Sequence, residues 1–206
     1  MNTNSTILAE IKGITVTQEA DGRVHWVSGA AVDADGSNGQ NGNSFAYAES
    51  DRGLDFNANA GWPNAGWRNV LIDDGTGQPT GDGNGNWYSS TTYAWQGRPV
   101  ATRYVDATAV PYIVVNPIVR RRARGVVIGC KARATYQGQS VDAVVADVSG
   151  GNDIGELSIA AAKALHFHNA SPRDGGVSGG VLFEFWPDQA ATVNGELYDL
   201  QPAGGP

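Results

Sequence analysis

A chain of 206 residues has room for one ordinary domain. With 41% hydrophobic and 17% charged residues it has the material for a core, under a surface of Gly, Asn, Ser and Thr more than of ion pairs. A net charge of −7 argues against nucleic acid and anionic membranes as partners and favours cationic ones. No stretch approaches the ~20 apolar residues of a membrane span. The single cysteine, Cys130 in "VVIGCKA", excludes an internal disulfide and reads as a small buried hydrophobe.

The opening "MNTNSTILAEIKG" lacks the charged and apolar regions of a signal peptide. Residues 7–32 read as a hairpin: "IKGITVT" alternates, "EADGR" turns, and "VHWVSGAAV" runs back. Between Asp33 and Gly97 the periodicity dissolves into Asn, Gly and Asp, yet four of the six tryptophans stand there, Trp62, Trp67, Trp87 and Trp95. Such aromatic content predicts ordered loops carrying a binding surface. Short β-branched runs follow in "RYVDATAVPYIVVNP" and "GVVIGCKARATYQGQSVDAVVAD". One helix is predicted, Glu156 to His166, from the apolar stripe of "LSIAAAKAL". A last strand, "GGVLFEFWP", precedes a polar tail over 191–206 that is expected to fray. The sum is a mainly β (α+β) protein: one catalytic domain with its core over about 7–190, a small β-barrel with one main helix and long aromatic, Gly-rich loops.

The chemistry concentrates in "AVVADVSGGNDIGELSIAAAKAL". A strand delivers Asp147, a glycine-rich loop turns, and Glu156 opens the predicted helix. Two carboxyl groups on facing rims of one loop are what glycoside hydrolysis needs, one protonated and one ionised. Equally, Glu156 could simply favour the positive end of a helix while Asp147 caps the loop. "VDADGSNGQNGN" has the flavour of a calcium loop, but Ser44 stands where an EF-hand requires Glu. Asp33 and Asp35 there read either as acids lining a cleft for a cation or as a solvated turn. The aromatic residues Trp62, Trp67, Trp87, Tyr88, Tyr93 and Trp95 read as sugar-stacking platforms or as anchors of the loops. "RRRAR", Arg120 to Arg124, reads as a solvated hairpin tip. His166 and His168 lack a third metal ligand at a recognised spacing, and are assigned to a helix end. Serine-hydrolase and nucleotide-loop motifs are absent.

Taken in order, "AAVDADG", "GLDFNANAGWP", "YVDATAVPYIVV", "VVADVSGGNDIGELSIAAAKALH" and "GGVSGGVLFEFWP" resemble glycoside hydrolase family 75, the chitosanases, over about residues 24–190. The most specific element is the Asp–loop–Gly-Glu-x-Ser–helix segment. The resemblance implies endo-hydrolysis of β-1,4-glucosaminidic bonds in chitosan with inversion, with Asp147 and Glu156 as the essential pair. It further implies substrate contacts by Asp33, Asp35, Asp51, Asp55, Asp106, Trp62 and Trp87. No metal or cofactor is implied, the partners are chitosan and glucosamine oligosaccharides, and a monomer is expected. Location is expected to be extracellular, with the leader removed, or the protein phage-encoded. Family members commonly carry Gly-Pro after the aspartate, where this chain has "DVSGGND". By fold-level analogy the pattern is akin to double-psi β-barrels. Glu156 is expected as the acid, by its longer reach, and Asp147 as the base. Against this, desolvation at Asp147 and a helix N-terminus at Glu156 would set their pKa values in the opposite order. An inactive carbohydrate-binding protein on the same scaffold is the alternative reading.

Overall fold

The computed structural model describes residues 5–201. Its first strands are β1 (Thr6–Ile11), β2 (Ile14–Gln18) and β3 (Val24–Asp33). The predicted first strand is therefore two: Lys12 and Gly13, both at positive φ, turn the chain back within "IKGITVT". A long excursion follows, carrying the small pair β4 (Tyr47–Ala48) and β5 (Asn86–Trp87), two single 3₁₀ turns (Gln40–Gly42 and Trp67–Asn69) and the one-turn helix α1 (Val100–Arg103). Then come β6 (Tyr112–Val115), α2 (Pro117–Arg122), β7 (Cys130–Tyr136), β8 (Gln139–Val148), β9 (Glu156–Ser158), α3 (Ile159–Ala164), β10 (Val177–Val193) and β11 (Glu196–Tyr198).

Strands β3, β9, β6, β8, β7 and β10 follow one another edge to edge, and β10 pairs back onto β3, closing a six-stranded barrel. This is the small, mainly β barrel that the sequence predicts. The pairs β3/β9 and β6/β8 are parallel, and the other barrel pairings are antiparallel. Period-2 burial marks β3, whose Val24, Trp26, Ala30 and Val32 are buried. The Trp26 ring stacks on Phe183 and Phe185 of β10, centroids 5.4 and 4.7 Å away. Fully burying each such aromatic side chain contributes roughly 1.5–3 kcal/mol. The neighbouring strand β7 places the small, buried Ala134 and Ala132 beside Phe183 and Phe185, leaving room for those rings. Cys130 is a free, buried thiol, as its apolar context predicts.

Three sequence expectations are corrected. The helix begins at Ile159, because Glu156–Ser158 is held as a strand between β3 and β6, and Ser158 caps the helix by accepting from Ala161 N (3.1 Å). "RRRAR" is no hairpin tip: Asn116 caps α2 through Ile118 N (2.7 Å), Pro117 occupies the first turn, and Arg120 to Arg122 form the last turn, where the helix dipole favours cations. The predicted frayed tail is ordered through Gln201: β10 runs to Val193, β11 folds back on it, and Tyr198 is buried against Tyr93 and Trp95. Among the described residues no helix is long and apolar enough to cross a membrane.

Candidate active site

One row of residues crosses four adjacent strands of the barrel. Glu156 on β9 is the register partner of Ala31 on β3 and of Val114 on β6, and Val114 is in turn the partner of Asp147 on β8. Side chains of register partners project to the same face. Two strand spacings of ~4.8 Å put the Glu156 and Asp147 Cα atoms about 10 Å apart, with Val114 as the floor between them. A β-bulge makes this row possible. Ile113 pairs with Val145 and Val114 with Asp147, so Ala146 is the extra residue. Without it Asp147 would fall out of step with Val114 and face the other side of the sheet.

The row floors a cleft of about 590 Å³, walled by Asp33, Asp35, Thr92, Ser149 and the small residues of the loop Asn59 to Asn69. A smaller depression shares Asp153 and Glu156 with it and is lined also by Lys12 and Ile154, where Lys12 and Asp153 are ion-paired (2.5 Å). Another shares Lys12 and Ile154 with that one and reaches Gly176 to Ser178.

The connecting loop is fastened at several points. Ser149 Oγ donates to the Asp153 carbonyl (2.6 Å), and Asn116 Nδ2 donates to the carbonyls of Asp153 (2.8 Å) and Gly151 (3.3 Å). Gly155 is required where it stands. Its φ is +85°, and a Cβ there would lie 2.3 Å from the Gly29 carbonyl oxygen. The close approach lets Gly155 accept from Ala31 N (2.9 Å) and leads Glu156 directly into its strand.

Asp147 Oδ1 accepts three hydrogen bonds, from Thr92 N (3.1 Å), Thr92 Oγ1 (2.6 Å) and Val148 N (2.7 Å). Asp33 Oδ1 accepts from Asp35 N (2.9 Å), and Asp35 Oδ1 from the Tyr47 hydroxyl (3.1 Å). Tyr112 lies beneath them, its hydroxyl donating to the Asp35 carbonyl (3.0 Å). The Glu156 carboxyl accepts no hydrogen bond from the described residues, while Asp35, Asp147 and Glu156 each keep some surface open to the cleft.

Four carboxyl groups thus crowd one partly desolvated site, and their protonation follows from that. Burial, reinforced by the charge on Asp147, pushes Asp33 up to about 7. Burial and then the charges of Asp33, Asp147 and Glu156 hold Asp35 well above the ordinary carboxylate range. Glu156 is raised well above it too, by burial and then by Asp33 and Asp147. Burial also raises Asp147, but the bonds from Thr92 and Val148 pull against it. The expectation that a helix N-terminus lowers Glu156 is overturned, since Glu156 sits on a strand ahead of the Ser158 cap, and burial and the neighbouring carboxylates raise it. One oxygen from each of Asp33, Asp35 and Asp147 lies within 4.8 Å of the others, a spacing that suits a cation, whether an ammonium group or a metal ion.

Of the other residues singled out in sequence, Asp55 is buried one layer behind the cleft, its carboxylate accepting from Phe56 N (2.7 Å) and Asn59 Nδ2 (2.9 Å). Burial raises it as well. Asp51 and the Asp55 carbonyl are tied to Arg173, whose Nη2 also donates to Asp51 O (2.8 Å). Asp106 does not reach the cleft: its Oδ1 caps a turn by accepting from Thr108 N (2.8 Å) and Oγ1 (2.7 Å). Neither Trp62, which is partly buried, nor Trp87 lines this cleft. Trp62 packs edge-on against Trp67 (5.4 Å) and Trp87 (5.1 Å), and Trp87 is buried, so the cluster anchors the loops to the barrel. Sequence reasoning passed over Thr92, Asn59 and Asn69. Their place in the cleft depends on how the long loops fold back, which no local pattern encodes.

No protein-family model matches the chain, and no curated protein matches it either.

Proposed function

We propose that the protein is an inverting endo-glycosidase acting on chitosan, with Glu156 as general acid and Asp147 as general base. The observation that carries this reading is the row Glu156–Val114–Asp147, which holds two carboxyl groups on one face with a residue's width between them. Inversion requires a gap of roughly 6.5–9.5 Å between the carboxyl groups, so that a water fits beside the anomeric carbon. Glu156, buried and without a donor, keeps its proton and gives it to the leaving glycosidic oxygen. Asp147, its Oδ1 held by three donors, keeps its charge and takes a proton from the attacking water through the free Oδ2. The water oxygen bonds to the anomeric carbon as the bond to the leaving oxygen breaks, and the product is the opposite anomer. Asp33 and Asp35 present carboxyl oxygens to the ammonium groups of glucosamine units, and a bound ammonium draws both toward their charged form.

The test is reducing-end release from highly deacetylated chitosan by the wild type, Asp147→Asn and Glu156→Gln. Product from the wild type alone is expected. Unchanged rates in either variant would overturn the assignment. The alternative, an inactive binding protein, rests on the aromatic loops and the altered loop after Asp147; saturable oligosaccharide binding with no new reducing ends after long incubation would favour it.

A further inference from the structure

Thr92 lies outside the barrel, in the loop excursion, yet it supplies two of the three hydrogen bonds to Asp147 Oδ1. Its segment is also fixed by bonds that do not involve the Asp147 side chain. Tyr93 N donates to the carbonyl of Ala146, the bulge residue (2.8 Å), and Thr91 Oγ1 accepts from Val105 N (3.1 Å) while donating to the Tyr93 carbonyl (2.8 Å). Thr91 and Tyr93 are buried on either side, so the exposed Thr92 is presented at the cleft by anchored neighbours. Among the described residues no lysine, arginine or histidine forms an ion pair with Asp147. The carboxylate is therefore oriented by neutral donors alone, and Oδ2 is the oxygen left to work.

We propose that Thr92 is a positioning residue: its hydroxyl clamps Asp147 Oδ1 so that Oδ2 faces the attacking water. The proposal rests on the reading of Asp147 as the general base. Val148 N comes from the residue next to Asp147 and moves with it, whereas Thr92 is 55 positions distant and references the carboxylate to the separate loop segment packed beside β8. A clamp of this kind acts on the chemical step, because a base misplaced by about 1 Å can cost about a hundredfold in rate. It leaves substrate affinity alone, because the hydroxyl is spent on Asp147.

The experiment compares Thr92→Val and Thr92→Ser with wild type on deacetylated chitosan, measuring kcat and KM separately, with the melting temperature of each. Val keeps the shape and loses the hydroxyl; Ser keeps the hydroxyl and loses the methyl. The expected result is a ten- to hundredfold lower kcat for Thr92→Val, with KM within about twofold, and a kcat within about threefold of wild type for Thr92→Ser. A role in packing alone would give the reverse order. Should the Val variant fail to fold, Thr92→Ala carries the same comparison. Full kcat in Thr92→Val, or an equal loss in Val and Ser, overturns the proposal while the glycosidase reading stands. A wild type that releases no reducing ends overturns both.

Discussion

Replacing Asp33 by Asn should stabilise the protein at neutral and alkaline pH, and the gain should vanish in acid. Asp33 rises from 3.8 to about 7 on folding, chiefly through burial and secondly through Asp147. At 1.36 kcal/mol per pH unit, ionising it inside the folded protein costs about 4 kcal/mol. The sign follows from proton counting. Between pH 4 and 7 the folded chain holds a proton that the unfolded chain has released, so wild-type stability is full below about 4, falls as pH rises through 7, and is level above. Asparagine never ionises, and its amide oxygen can still accept from Asp35 N, so the variant escapes that loss. A gain of about 2–4 kcal/mol at pH 8 corresponds to a melting temperature higher by roughly 5–15 °C in a domain of this size. Urea unfolding of both proteins at pH 4 and pH 8 measures it. A variant no more stable at pH 8, or equally stabilised at both pH values, would refute the reasoning.

Three further outcomes are expected. Gly155→Ala should destabilise by more than about 2 kcal/mol, because Cβ meets the Gly29 carbonyl at 2.3 Å in a left-handed backbone, and should show as a lowered urea midpoint. Trp62→Ala should lower the melting temperature by an amount corresponding to about 2–4 kcal/mol, while KM of the folded fraction stays near wild type, since the ring holds Trp67 and Trp87 and not the sugar. KM for chitosan should rise as salt is raised from 50 to 500 mM (about a threefold fall in Debye length), because an acidic cleft draws the polycation in; a salt-independent KM would count against charge steering.

The barrel was legible because short β-branched runs separated by turn residues leave few other architectures, and the Asp–loop–Glu segment pointed to Asp147 and Glu156, which the fold brings to one cleft. What was hidden is non-local. Glu156 reads as the start of a helix because an alanine-rich run follows it, and only pairing with Ala31 and Val114 keeps it in a strand. The bulge at Ala146 has no local signature, since "AVVAD" would serve equally well as an unbroken strand. Asp106 and Asp35 look alike in sequence, each in a polar, turn-rich context. Asp35 lines the cleft while Asp106 is turned away to Thr108.

The most direct test of the account is the anomeric form of the first product, followed by proton NMR as the protein cleaves a fully deacetylated glucosamine oligomer. Two carboxyl groups on either side of Val114 leave room for water, and they predict the α-anomer as the initial product of a β-linked substrate. Initial appearance of the β-anomer would mean direct attack by a carboxylate, and would contradict the spacing on which the mechanism stands.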